Sequence, residues 1–199
     1  MKKNLNDDNC QHCNKKMLSM QGVRTEIEGN QVLLCGPCWN KFVSEFMGAN
    51  FETIELKPIT LRDCRGKAHV FHILTHIVPS GLAIKAREMI DQGQMGYEFS
   101  VVGPHGCNQS DLILDLYEKI KRGLSKKYLK KNRVPIEIQD DRVVGRIEWD
   151  EDYGGEIPKL VIDGRVVTWA QLGKMLMSFE GWQFKLEMID PAGEAVDER

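Results

Sequence analysis

Two Cys-x-x-Cys pairs, Cys10-Gln-His-Cys13 and Cys35-Gly-Pro-Cys38, constrain the start of this chain more than any other feature. Thiolate sulfur is a soft ligand, and a two-residue spacer lets both sulfurs of a pair turn toward one ion while neighbouring amides stabilise their charge. The spacing therefore predicts one tetrahedral Zn2+ held by Cys10, Cys13, Cys35 and Cys38. Four protein ligands leave no position for water or substrate, so the expected zinc is structural. A module of about 45 residues buries too little apolar surface to fold well alone, and bound zinc offsets that deficit by roughly 10–16 kcal/mol of apparent binding energy.

Between the pairs, Val23 to Glu28 and Gln31 to Leu34 read as a hairpin turning at Gly29-Asn30. After them Pro37 suits a first helical position, and Trp39, Phe42, Val43, Phe46 and Met47 recur at helical spacing until Gly48. This order of knuckle, hairpin and knuckle merging into a helix resembles treble-clef zinc fingers, over residues 10 to 47 only. The 21 residues between the pairs slightly exceed the commonest zinc-ribbon spacing. The whole chain resembles prokaryotic proteins of uncharacterised function that carry such a finger, and that resemblance implies no activity.

Two enzymatic readings compete. Cys35-Gly-Pro-Cys38, after a strand and opening a helix, resembles the thioredoxin active-site motif and implies a dithiol oxidoreductase using Cys35 and Cys38. Only 34 residues precede it, however, and Cys10 and Cys13 would then have no role. Leu74 to Gly81 resembles the histidine segment of HNH endonucleases, and Leu34 to Lys41 resembles the Cys-x-x-Cys-Asn-x-x-Lys end of that family. The resemblance implies His76 as general base beside a divalent metal. The order departs from that family, because the histidine follows the second knuckle, and Thr75 stands where an acid is expected.

Composition sets the wider frame. With 199 residues, 42% hydrophobic and 28% charged, the chain has room for one large or several small domains. The start MKKNLNDDN lacks an apolar signal core, and the apolar run near Val70 to Val78 is too short to span a bilayer, so the expected location is the cytoplasm, with no membrane contact. Reducing conditions favour metal-bound thiols over disulfides. Charge is uneven. Residues 51–133 carry fourteen Lys/Arg against nine Asp/Glu, and residues 134–199 carry seven against fifteen.

The pattern along the rest of the chain predicts strands at Ile54–Arg62, Ala68–Val78 and Tyr97–Val102. Leu82 to Ile90 fits a strand or a helix, and the tight Pro79-Ser-Gly81 turn before it favours a strand. A helix is predicted from Ser110 to about Tyr128, with Leu112, Leu116, Ile120 and Leu124 as its buried stripe. Lys131 to Pro135 reads as a linker. Beyond it the pattern gives a strand Val143–Trp149, a hairpin Lys159–Val167 turning at Asp163-Gly164, and a helix capped by Thr168 and Gln171. That helix has the stripe Leu172, Leu176 and Phe179, and a last strand is expected at Trp182–Ile189. Trp149, Trp169 and Trp182 are expected in the core.

The predicted class is α+β: a zinc module over residues 1–50, a β-meander closed by a basic-ended helix over 51–131, a small α+β unit over 136–190, and a loose tail over 191–199. Cys64, His72, His76, His105 and Cys107 are the remaining candidate ligands, although two histidines four apart on a strand lie roughly 13 Å apart. Packed or solvated side chains are the simpler reading. The run Lys119–Arg133 holds eight Lys/Arg and can track nucleic-acid phosphates, or else line a solvated face or meet the acidic third unit. The acidic loop Asp150–Glu156 lacks a calcium-loop pattern. The leading expectation is a non-enzymatic regulatory or interaction protein contacting a protein or a nucleic acid.

Overall fold

The computed structural model describes residues 8–17, 22–48, 51, 54, 56–90, 95–131, 133–150, 153–191 and 193. Its architecture is mixed α+β, with antiparallel sheets throughout. At the start, β1 (Asp8–Asn9) and β2 (Lys16–Met17) pair around the first cysteine knuckle. Next, β3 (Gly22–Ile27) and β4 (Asn30–Cys35) form a hairpin that runs directly into α1 (Gly36–Met47). The hairpin turns at Glu28-Gly29, one residue before the expected Gly29-Asn30. Both turn residues have positive φ, 50° and 79°, and Ile27 pairs with Asn30, as in the two-residue turn whose twist matches its strands.

The first helix covers the expected residues, and Trp39 and Val43 of its apolar stripe pack at the margins of the two neighbouring cores. Its fully buried residues are Asn40 and Ser44, whereas Phe42, Phe46 and Met47 are exposed. The cause lies in the surface it meets. The four-stranded sheet has the order β5 (Ile59–Arg62), β6 (Ala68–Val78), β7 (Gly81–Met89), β8 (Met95–Gly103), and β5 pairs only with Ala68 to Phe71 of the longer β6. The rest of that edge is left with backbone groups to satisfy. Asn40 does so with both ends of its amide, donating to the Thr75 carbonyl at 2.8 Å and accepting from the Ile77 amide at 2.9 Å. The Trp39 indole adds a bond to the Ile77 carbonyl at 3.2 Å. A polar residue is therefore what α1 must bury.

The ambiguous segment after Pro79-Ser80 is strand β7. Gly81 at its start sits where a Cβ would come within 2.0 Å of the Gly103 carbonyl oxygen. Across this sheet lies α2 (Gln109–Leu124), capped at its start by the Asn108 side chain. Leu112, Leu116, Ile120 and Leu124 are buried as predicted, against Phe71, Ile77, Leu82, Ile84 and Val101. The helix ends four residues before the expected Tyr128, because Lys127 turns inward to a buried carboxylate.

A three-stranded sheet comes next, in the order β11 (Arg165–Thr168), β10 (Lys159–Ile162), β9 (Gly145–Glu148). Asp163 and Gly164 make the β10–β11 turn with φ of 54° and 70°. The predicted capping box is present, since Thr168 Oγ1 accepts from the Gln171 amide and Gln171 reaches back to the Thr168 amide. In α3 (Trp169–Leu176) the buried residue is Met175, with Leu172 and Phe179 beside it, while Leu176 is exposed. The stripe runs Leu172 to Met175, three positions on and not four, and a short 3-10 turn, Met177–Phe179, follows the helix.

Two further expectations fail. Trp149, Trp169 and Trp182 are exposed and not in the core. Trp182 to Ile189 forms no strand. Its alternation is real, but alternation defines a face, and a strand also needs an adjacent edge. Among the described residues no strand pairs with this segment.

Candidate metal centre

The four cysteines converge. Cys10 ends the first strand pair, Cys13 closes its turn, Cys35 ends β4 and Cys38 lies in the first turn of α1. Their sulfurs all lie within 4.8 Å of one another, and Cys13 Sγ to Cys35 Sγ is 3.7 Å. A tetrahedral ion with metal–sulfur distances of about 2.3 Å sets its sulfurs about 3.8 Å apart. A disulfide requires roughly 2 Å. The spacing thus suits four sulfurs around one ion.

The two knuckles are fixed to each other by the backbone. Gln11 and Leu33 pair across the module, the Gln11 amide donating to the Leu33 carbonyl at 2.9 Å and the Leu33 amide donating to Gln11 Oε1 at 3.0 Å. The Cys35 amide points at Cys10 Sγ at 3.3 Å, and the His12 ring lies 3.4 Å from Cys38 Sγ. Such donors stabilise thiolate charge. Burial raises the Cys10 pKa, yet bonds from the Cys13, Cys35 and His12 backbones outweigh it and bring the thiol down to about 6. Cys35 and Cys38 go the other way, raised first by burial, with neighbouring sulfurs adding to it. One sulfur is readied for charge, and its partners can share that charge only with a cation between them.

The other candidate residues do not join this site. Cys64 is exposed, and its amide donates to the Leu124 carbonyl at 3.0 Å. Cys107 packs beside the α2 core, and the His105 ring lies 3.1 Å from the Pro79 carbonyl. His72 and His76 share a face of β6 with the opposing Arg87 and Lys85 of β7. Burial first, then Arg87 and Lys85, lower the His76 pKa to about 4. Among the described residues, the four cysteines form the one group of three or more close potential ligands. Two surface recesses, of about 260 and 290 Å3, are lined by residues of β8 and α2 and by residues of the β5 edge, β6 and α2. Neither borders the cysteines or His76.

A second polar cluster escapes sequence reasoning altogether. His69 is 1% exposed on the face of β6 that carries Phe71, just beyond the end of α2. Its Nε2 lies 3.1 Å from Asp63 Oδ2 and its Nδ1 lies 2.6 Å from Glu88 Oε1. Lys127 donates to Asp63 Oδ2 at 2.7 Å and to the Tyr97 hydroxyl at 2.6 Å. Asp63 Oδ1 also accepts from the Arg65 and Lys67 amides. Burial alone would raise the Asp63 pKa, but bonds from Lys127 and His69 outweigh it and leave the carboxyl far below its usual range. Glu88 is lowered in the same way, with His69 overcoming its burial. Each His69 nitrogen thus faces a carboxylate, which can only accept, and the Lys127 ammonium completes the set at Asp63.

This cluster joins the sheet to the chain beyond α2. Arg65 donates to the Leu129 carbonyl at 2.9 Å and to Gln139 Oε1 at 2.6 Å. Asp163 accepts from the Tyr128 and Leu129 amides at 2.9 and 2.8 Å. Much of the basic run is engaged locally. Lys119 donates to the Ser100, Pro191 and Gly193 carbonyls, Lys121 pairs with Glu118, Lys126 lies over the Tyr128 ring and Lys130 pairs with Glu137. No helix among the described residues is long and apolar enough to cross a membrane.

Comparison with known proteins adds two matches. Residues 52–125 match the model of a domain of unknown function (DUF7686), and residues 128–193 match that of another (DUF7713). The cysteine module lies outside both. No curated protein and no solved structure gives a significant match.

Proposed function

We propose that this protein is a zinc-stapled, non-enzymatic interaction module of the cytoplasm, whose Cys10, Cys13, Cys35 and Cys38 hold one structural Zn2+ in a treble-clef-like finger. The convergence of four sulfurs within 4.8 Å, on two knuckles already cross-bonded through Gln11 and Leu33, carries this reading. When bound, the ion neutralises thiolate charge and fixes the start of α1. Asn40 and Trp39 then transmit that order to the open edge of β6. The family matches end and begin at 125 and 128, in keeping with separate units for the meander and the C-terminal sheet.

The partner is a protein. Exposed Trp149, Tyr153, Trp169 and Trp182 gather in the third unit, and such aromatics are the usual anchors of protein interfaces. The basic run offers less to a phosphate backbone, because Lys127 is buried and Lys119 is held by carbonyls. Elemental analysis of native protein should find one zinc per chain, with four thiols that react only after chelation. Metal-free protein with an oxidised Cys35–Cys38 pair would overturn the reading in favour of a redox dithiol. Salt-sensitive binding to generic duplex DNA or single-stranded RNA would overturn the choice of partner.

A further inference from the structure

The segment after Gly181 has the alternating pattern of a strand, yet pairs with no strand among the described residues. Trp182, Phe184, Leu186 and Met188 alternate with Gln183, Lys185 and Glu187, and the four apolar side chains are 65%, 89%, 71% and 67% exposed. The segment is anchored at both ends. The Trp182 amide donates to the Phe179 carbonyl at 2.9 Å, and the Lys119 ammonium holds the Pro191 and Gly193 carbonyls. Between these anchors, 183–189 make no backbone hydrogen bond among the described residues. An unpaired apolar strand of this length demands a sheet edge.

The same chain carries an edge of matching pattern. Among the described residues β9 pairs with β10 alone, which leaves its outer side open. Ile147 shares a face with Leu160 and Val167, the face that packs on Met175 and Leu172. Arg146 and Glu148 point to the other face and pair with each other, as Lys185 and Glu187 do. Laid antiparallel with Leu186 opposite Ile147, the segment sets Phe184 opposite Trp149 and Met188 opposite Gly145. It also sets Lys185 opposite Glu148 and Glu187 opposite Arg146. Apolar side chains thereby extend the core face, and both charge pairs are of opposite sign. A slip of two residues in one direction brings Lys185 opposite Arg146, and in the other Glu187 opposite Glu148. Charge and pleat together select one register.

We infer that residues 182–189 are the exchanged strand of a homodimer, each copy adding its segment antiparallel to the free β9 edge of the other. Reciprocal exchange closes on itself as a two-fold dimer, so it consumes both edges and stops there. The inference builds on the reading of the third unit as a protein-binding surface, and names its partner as a second copy of this chain.

The test uses the full chain. Sedimentation equilibrium should give twice the monomer mass of 22.7 kDa. In a mixture of nitrogen-15-labelled and unlabelled copies, carbodiimide should couple Lys185 of one isotope to Glu148 of the other. Phe184→Asp, at an exposed site that leaves folding intact, should weaken the dimer about tenfold or more and expose the 183–188 amides to exchange. A monomer at all concentrations overturns the inference. So does a Lys185–Glu148 link confined to one isotope, or a dimer indifferent to Phe184→Asp. Zinc measured on the same samples separates the two ideas, because a monomer that keeps one zinc per chain overturns the exchange alone.

Discussion

Two clusters of ionisable groups organise this molecule, and they solve opposite problems. At the finger, four thiols with like charge when ionised are brought together within 4.8 Å. At the end of α2, two carboxylates meet a histidine and a lysine, and the set is complete in itself. On the proposed reading the first takes an ion from solution to close it, and the second needs only correct folding. Metal content should therefore govern the finger, whereas pH and single charge deletions should govern the junction.

The largest expected effect separates the clusters cleanly. Chelation, or Cys10→Ser, should remove roughly 10–16 kcal/mol of apparent zinc-binding energy and release amide protection over 22–48, while 68–124 stays protected in hydrogen-exchange mass spectrometry. Equal loss in both regions would mean that the sheet depends on the finger as much as the finger depends on zinc.

Breaking the junction comes next. Lys127→Met leaves the buried Asp63 carboxylate without its ammonium partner, and should cost about 3–5 kcal/mol in urea denaturation while zinc content holds. Acid probes the same groups. Both carboxyls lie below their usual range in the folded state, so their stabilisation is complete above about pH 5 and is lost progressively as pH falls below it. Lys127→Met should flatten that acid limb. An unchanged limb would place the acid sensitivity elsewhere.

Asn40→Ala sharpens the link between the regions. It orphans the Thr75 carbonyl and the Ile77 amide, and should cost about 2–3 kcal/mol. Its mark is loosened α1 amides with zinc still bound. The smallest effect expected is Thr168→Ala, at about 1 kcal/mol from loss of the capping box, confined to α3.

Legibility follows the same division. The cysteine centre was readable because each knuckle keeps two ligands three positions apart, and such local spacing survives in one dimension. The α2 stripe and the Thr168–Gln171 cap were readable for the same reason. The junction was not, since Asp63, His69, Glu88 and Lys127 lie on four separate elements and meet only through strand register. His69 offered no local signal, although the alternation of β6 placed it on the face opposite His72 and His76. The α1 periodicity marked the helix and its end at Gly48, but not Asn40 and Ser44 as its buried residues, because this helix meets an open strand edge that wants an amide. The strand expected at Trp182–Ile189 is absent, because alternation defines a face and does not supply the paired edge that a strand also needs.

The central claim is that four sulfurs and one zinc hold the finger together. X-ray absorption at the zinc edge on purified, fully reduced protein tests it most directly. One zinc per chain with four sulfur neighbours at about 2.3 Å is the predicted result. A shell containing nitrogen or oxygen ligands, or protein that folds natively without zinc, would contradict it.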